Sequence, residues 1–117
     1  MATFDSLRDA IKILEKEIGG GINLEQTLML IEMMAHYPEK LSFDEAAKIV
    51  GTHLGKIREN SNVLGVHLVQ RHNSKELKDI GLGLLEVKPD PYEPEKEIFE
   101  LTKKGMALKV KLVDALS

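Results

Sequence analysis

Between Ser42 and Gly65 the chain reads SFDEAAKIVGTHLGKIRENSNVLG, and no other stretch constrains its fold so tightly. Ala47 stands four residues before Gly51, Ile57 six after that glycine, and Leu64 seven after Ile57. Two helices crossing near a right angle need a small residue at their closest approach and a tight turn between them. The second helix must also keep one apolar edge against the first. Ala47, Gly51 and the pair Ile57/Leu64 meet these needs in order, so the segment reads as a helix-turn-helix. The plainer alternative is two packed helices joined by a glycine turn. In a helix-turn-helix, the second helix is the element that enters the major groove of DNA.

Caps and periodicity divide the rest of the first half. Thr3 caps a helix over 3–18 in which Phe4, Leu7, Ile11, Leu14 and Ile18 form one apolar stripe. Gly19-Gly20-Gly21 ends it as a hinge. Asn23 with Gln26 resembles a capping box and opens a second helix through Leu24, Leu28, Ile31 and Met34 to about His36. Tyr37-Pro38 closes that helix. Ser42 with Glu45 is a capping box for the third, Thr52 is read as the cap of the fourth, and Gly65 as its stop.

Beyond Gly65 the period changes. Segment 66–83 is the least readable, with a helical turn expected at Lys75–Ile80. Leu84–Val87 and Glu97–Leu101 read as strands flanking a loop with three prolines, which cannot join a ladder. Thr102 caps a last helix to about Leu116, whose apolar face (Met106, Leu108, Val110, Leu112, Val113) is too wide for one neighbour.

This order, closing on GLLEVKPDPYEPEKEIFELTKKG, resembles the winged-helix regulators of the MarR family over roughly residues 24–116. In that family the wing carries D-P-x-D-x-R and ends in L-T-x-x-G, and IRENSNVLG stands where the recognition helix lies. The resemblance implies a mainly α chain with a small β-hairpin wing and a winged helix-turn-helix lobe over 24–101; the apolar stripe of helix 3–18 and the wide apolar face of helix 102–116 call for burial in a homodimer built from the two ends. The resemblance further implies a DNA-binding transcriptional regulator. Small phage and bacterial proteins share the pattern, which suits a phage or prophage origin.

The departures lie in the wing. The family's wing arginines are replaced by Tyr92-Glu93-Pro94-Glu95-Lys96. Five carboxylates between Glu86 and Glu97 face only Lys88 and Lys96, a net of −3 that opposes a phosphate backbone. Glu59 stands where the family often has arginine, with Arg58 beside it, and Ser61 occupies a core position.

At about 100° per residue, Leu54, Ile57, Ser61 and Leu64 point inward on the fourth helix. Gly55, Lys56, Glu59, Asn62 and Val63 point outward, with His53, Arg58 and Asn60 on the flanks. Lys56 and Arg58 suit phosphate or guanine, and Asn60 or Asn62 suits adenine. Arg71, within Gln70-Arg71-His72, adds a second basic patch, and Lys88 and Lys96 are the wing's own candidate contacts. The bland alternative is a solvated helix face in a chain that is 30% charged.

Length and composition bound the function. One domain of 117 residues holds a single core, and a net charge of −3 argues against indiscriminate coating of nucleic acid while leaving room for a locally basic face. No apolar run reaches a membrane span, no signal peptide opens the chain, and cysteine is absent, so a cytoplasmic protein is expected. The four histidines lack ligand spacing, the prolines among Asp90, Glu93 and Glu95 disfavour a calcium loop, and no phosphate loop is present. No catalytic residue, metal or cofactor is assigned. The expected partners are double-stranded DNA and a second copy of the chain. The rival reading is a winged-helix module that binds another protein through its acidic wing. A third, a ligand-responsive regulator, follows from the resemblance alone.

Overall fold

The computed structural model describes residues 3–19, 21–65, 68–70, 77–79 and 81–117. Its elements run α1 (Phe4–Ile18), α2 (Leu24–His36), β1 (Leu41–Ser42), α3 (Phe43–Val50), α4 (Leu54–Leu64), β2 (Leu68–Gln70), β3 (Leu77–Asp79), β4 (Leu85–Pro89), β5 (Glu97–Leu101) and α5 (Lys103–Leu116). Local capping sets most helix starts. Thr3, Asn23 and Ser42 each close a reciprocal box with Ser6, Gln26 and Glu45, and the Thr102 hydroxyl accepts from the Gly105 amide.

The fourth cap differs from the sequence reading. Both Gly51 and Thr52 amides bond back to the Ala47 carbonyl, so Thr52 still belongs to the end of α3. The cap passes to His53, whose Nδ1 accepts from the Lys56 amide at 3.4 Å. Gly51 takes φ +81° in this turn, the left-handed conformation that glycine adopts without strain.

The wing sheet has the order β1-β5-β4, antiparallel throughout, with Leu41 opposite Phe99 and Leu85 opposite Leu101. Two features were not foreseen. The two-residue β1 pairs with β5, and Pro89 closes the β4 ladder opposite Glu97. An edge strand tolerates proline because one row of its amides faces no partner. A separate hairpin of β2 and β3, with Leu68 opposite Asp79, is inserted between α4 and the wing. Leu77–Asp79 is thus strand rather than part of a helical turn at Lys75–Ile80. Residues 75, 76 and 80 lie outside the described set, as do Arg71 and His72 of the second basic patch.

The core gathers Met29, Leu30, Met33, Ala46, Ala47, Ile57, Leu64, Leu84, Leu85, Phe99, Leu101, Leu108 and Leu112. Met29 and Met33 are core, and α2 is turned otherwise than its reading. It buries Gln26, Met29, Leu30, Met33 and Met34 and leaves Leu24, Leu28 and Ile31 exposed. The first helix lies on α5 of its own chain, where Ala10 is buried and Ile13, Leu14 and Ile18 pack at the margin. A Glu17–Lys111 ion pair ties the two helices, and hydrogen bonding and charge from Lys111 hold the Glu17 carboxyl below its ordinary pKa. No helix among the described residues is long and apolar enough to cross a membrane.

Candidate nucleic-acid interface

The turn between α3 and α4 builds the site. Ala46 and Ala47 sit in the core, and their small size lets α4 cross close above α3. Ile57, Ser61 and Leu64 bury the inner edge of α4 as its spacing predicts. Ser61 is accommodated there because its hydroxyl donates to the Arg58 carbonyl at 2.8 Å. Leu54 departs from that edge and is half-exposed at the N-terminus of α4, while Val63 is partly covered rather than outward.

His53, Gly55, Lys56, Arg58 and Asn62 are all exposed along α4. Asn60 is not. It retains 2% of its surface, and its Nδ2 donates to the Glu25 carboxylate of α2 at 2.9 Å. A side chain committed to that buried bond cannot reach a base edge, so Asn60 leaves the set of direct contacts. Gly55 has a local reason as well as an exposed one. A Cβ there would stand 3.2 Å from the capping His53 ring.

An open groove of about 790 Å³ runs along the turn between Asp44, Ala47, Lys48, Thr52, His53, Leu54 and Gly55. Lys48 was not singled out in the sequence. Its position one residue after Ala47, the closest-approach residue, is the signal that could have found it. The other cations divide by their partners. Lys56 pairs with Glu59 at 3.5 Å, i to i+3 on the same helix. Arg58 has no ion pair among the described residues and lies over the Phe43 ring, 5.4 Å from its centroid.

The wing consumes its own positive charge. Lys96 pairs with Glu93 at 2.8 Å, and Lys88 bridges Glu100 at 3.2 Å and Glu86 at 3.6 Å. Hydrogen bonds to Glu100 and Glu93, reinforced by charge, raise the pKa values of Lys88 and Lys96 respectively. Both lysines are exposed, yet each is held by carboxylates that a phosphate would have to displace. The Asp90 carboxylate accepts from the Tyr92 amide at 2.8 Å, and the Asp90 amide donates to the Lys96 carbonyl. This bracing projects Tyr92 at the tip, 93% exposed.

A Staphylococcus aureus MepR mutant bound to an oligodeoxyribonucleotide superposes with a TM-score of 0.58 at 18% identity, over 95% of this chain and 67% of that one. The chain shares the winged-helix fold of that regulator. Bordetella bronchiseptica BpsR, whose DNA binding is regulated by 6-hydroxynicotinic acid, aligns over 94% of the chain and 67% of its own, with TM-score 0.53 and 18% identity. A probable transcriptional regulator from Pseudomonas aeruginosa aligns over 94% and 70%, with TM-score 0.56 and 14% identity. At these identities the likeness is one of fold. No family model and no curated protein matches the chain. In this fold α4 is the second helix of the helix-turn-helix and the β4–β5 hairpin is the wing, with the β2–β3 hairpin between them in sequence.

Proposed function

We propose that the chain is a cytoplasmic, non-enzymatic, DNA-binding transcriptional regulator that reads the major groove with α4. The observation that carries this reading is the exposed row His53, Gly55, Lys56, Arg58 and Asn62 on a helix whose opposite edge is buried. Such a row presents two cations to phosphate or guanine and an amide to adenine. Lys48, at the same turn, adds a phosphate contact. The regulators that share the fold support the reading, including one described with an oligonucleotide.

A second reading has its own observation. Both wing lysines are spent on wing carboxylates, and Tyr92 is exposed at an acidic tip. That surface suits a protein partner better than a phosphate backbone. Charge reversal separates the two. With Glu93→Lys and Glu95→Lys together, duplex affinity in a fluorescence-anisotropy titration at low salt should tighten about ten-fold, because repulsion near the backbone becomes attraction. Flat duplex affinity, with the tip's amide resonances unmoved by DNA, would favour the wing as a protein-binding surface.

A homodimer completes the proposal. Folding α1 onto α5 still leaves Phe4, Leu7 and Ile11 of α1 and Val110 and Val113 of α5 exposed, Phe4 at 90%. Each such side chain contributes about 1.5–3 kcal/mol when buried, and a twofold partner can cover both sets while pairing two recognition helices. Sedimentation at micromolar concentration should give twice the 13.1 kDa chain mass. Ile11→Asp with Val113→Asp should give the monomer; a wild-type monomer contradicts the pairing. These positions are chosen because Leu14 packs within the chain.

A further inference from the structure

Phe43, the first residue of α3, joins three elements. Its ring stacks on Phe99 of β5, with centroids 4.4 Å apart and 15° between the planes. Phe99 is fully buried, so it fixes the ring above it. The same ring lies under the Arg58 guanidinium of α4, within the roughly 6 Å at which a cation is drawn to an aromatic face. Ring and guanidinium line a cleft of about 200 Å³ between wing and helix, together with Ser42, Asp44, Leu54, Glu95, Lys96 and Glu97.

The charge arrangement makes this stack informative. Three carboxylates line the cleft, yet Arg58 forms no ion pair with them, whereas Lys56, Lys88 and Lys96 are all paired. A long, rotamer-rich side chain in a negative cleft would otherwise settle on a carboxylate. We infer that Phe43 is a positioning residue that holds Arg58 in a fixed orientation for contact with the duplex, with Phe99 tying that orientation to the wing. This rests on the reading that α4 meets DNA. Preordering the guanidinium lowers the side-chain entropy lost on binding, and withholding it from the carboxylates keeps its charge available.

The test is a double-mutant cycle on the full chain, using a random-sequence duplex. Phe43→Leu keeps the site apolar and removes the aromatic face; it should weaken duplex affinity about three-fold. In an Arg58→Ala background the same substitution should have no effect, and Phe43→Tyr should restore wild-type affinity. In the free protein, the Arg58 δ-methylene protons should show an upfield ring-current shift that Phe43→Leu abolishes. Equal losses in both backgrounds would make Phe43 merely structural and overturn the inference, as would an absent ring-current shift. If that shift is present but Arg58→Ala leaves affinity unchanged, the DNA reading of α4 fails, and the positioning role falls with it.

Discussion

Gly105→Ala should lower stability by about 3 kcal/mol and the melting temperature by about 10 °C or more. The residue lies in the first turn of α5, where alanine is ordinarily the better helix former by roughly 1 kcal/mol. Here a Cβ would stand 2.3 Å from the Leu84 carbonyl oxygen and 3.2 Å from a Leu101 methyl. The first of these is backbone in the core and cannot swing aside. It is also held, since the Leu84 carbonyl accepts from the Thr102 amide and the neighbouring Gly83 carbonyl from the Thr102 hydroxyl at 2.6 Å. The close approach of α5 to the wing strand therefore exists only with glycine at this position. Thermal unfolding by circular dichroism checks it, and an unchanged or raised midpoint would show that α5 does not dock as described.

The second large effect falls on Asn60. Asn60→Asp places a carboxylate against Glu25, where the native amide donates at 2.9 Å. Two like charges at that separation, one of them fully withdrawn from water, should cost about 2–3 kcal/mol at neutral pH. Glu25 itself is only partly buried, which keeps the figure below that of a fully buried broken pair. Adding Glu25→Gln reverses donor and acceptor and should recover most of the loss. Denaturant unfolding of the three variants gives the comparison. An Asn60→Asp variant as stable as wild type would mean that Asn60 is not the buried tie between α2 and α4.

The legible parts of this molecule were the ones written locally. Thr3, Asn23, Ser42 and Thr102 cap through contacts three residues away, so a sequence window contains the whole interaction. The Ala47, Gly51, Ile57 and Leu64 spacing likewise fixed the crossing of α3 and α4. What escaped was set by distant partners. A two-residue strand at Leu41–Ser42 has meaning only beside Ile98 and Phe99, and the β2–β3 hairpin carries no alternation strong enough to announce it. Apolar side chains on every face of α2 left its orientation open, and packing chose Met29, Leu30 and Met33 over Leu24, Leu28 and Ile31.

The site divides in the same way. Exposure of His53, Gly55, Lys56, Arg58 and Asn62 follows from helical period, but the withdrawal of Asn60 depends on Glu25, 35 residues earlier. Charge in the wing could be counted from the sequence, whereas the pairing of Lys88 and Lys96 needed the hairpin's register. The L-T-x-x-G ending of the wing was recognisable as a pattern; its physical reason, the space between Gly105 and Leu84, appears only in three dimensions.

In the proposed function α4 carries the cations that meet DNA, and one titration tests this directly. Wild-type protein should bind a random duplex weakly, with log affinity falling against log salt at a slope of about −3 per subunit. With Lys56→Ala and Arg58→Ala together, affinity should fall at least ten-fold and the slope should shrink by about 2, while the melting curve stays unchanged. A double variant that keeps both the affinity and the salt slope of wild type would contradict the account.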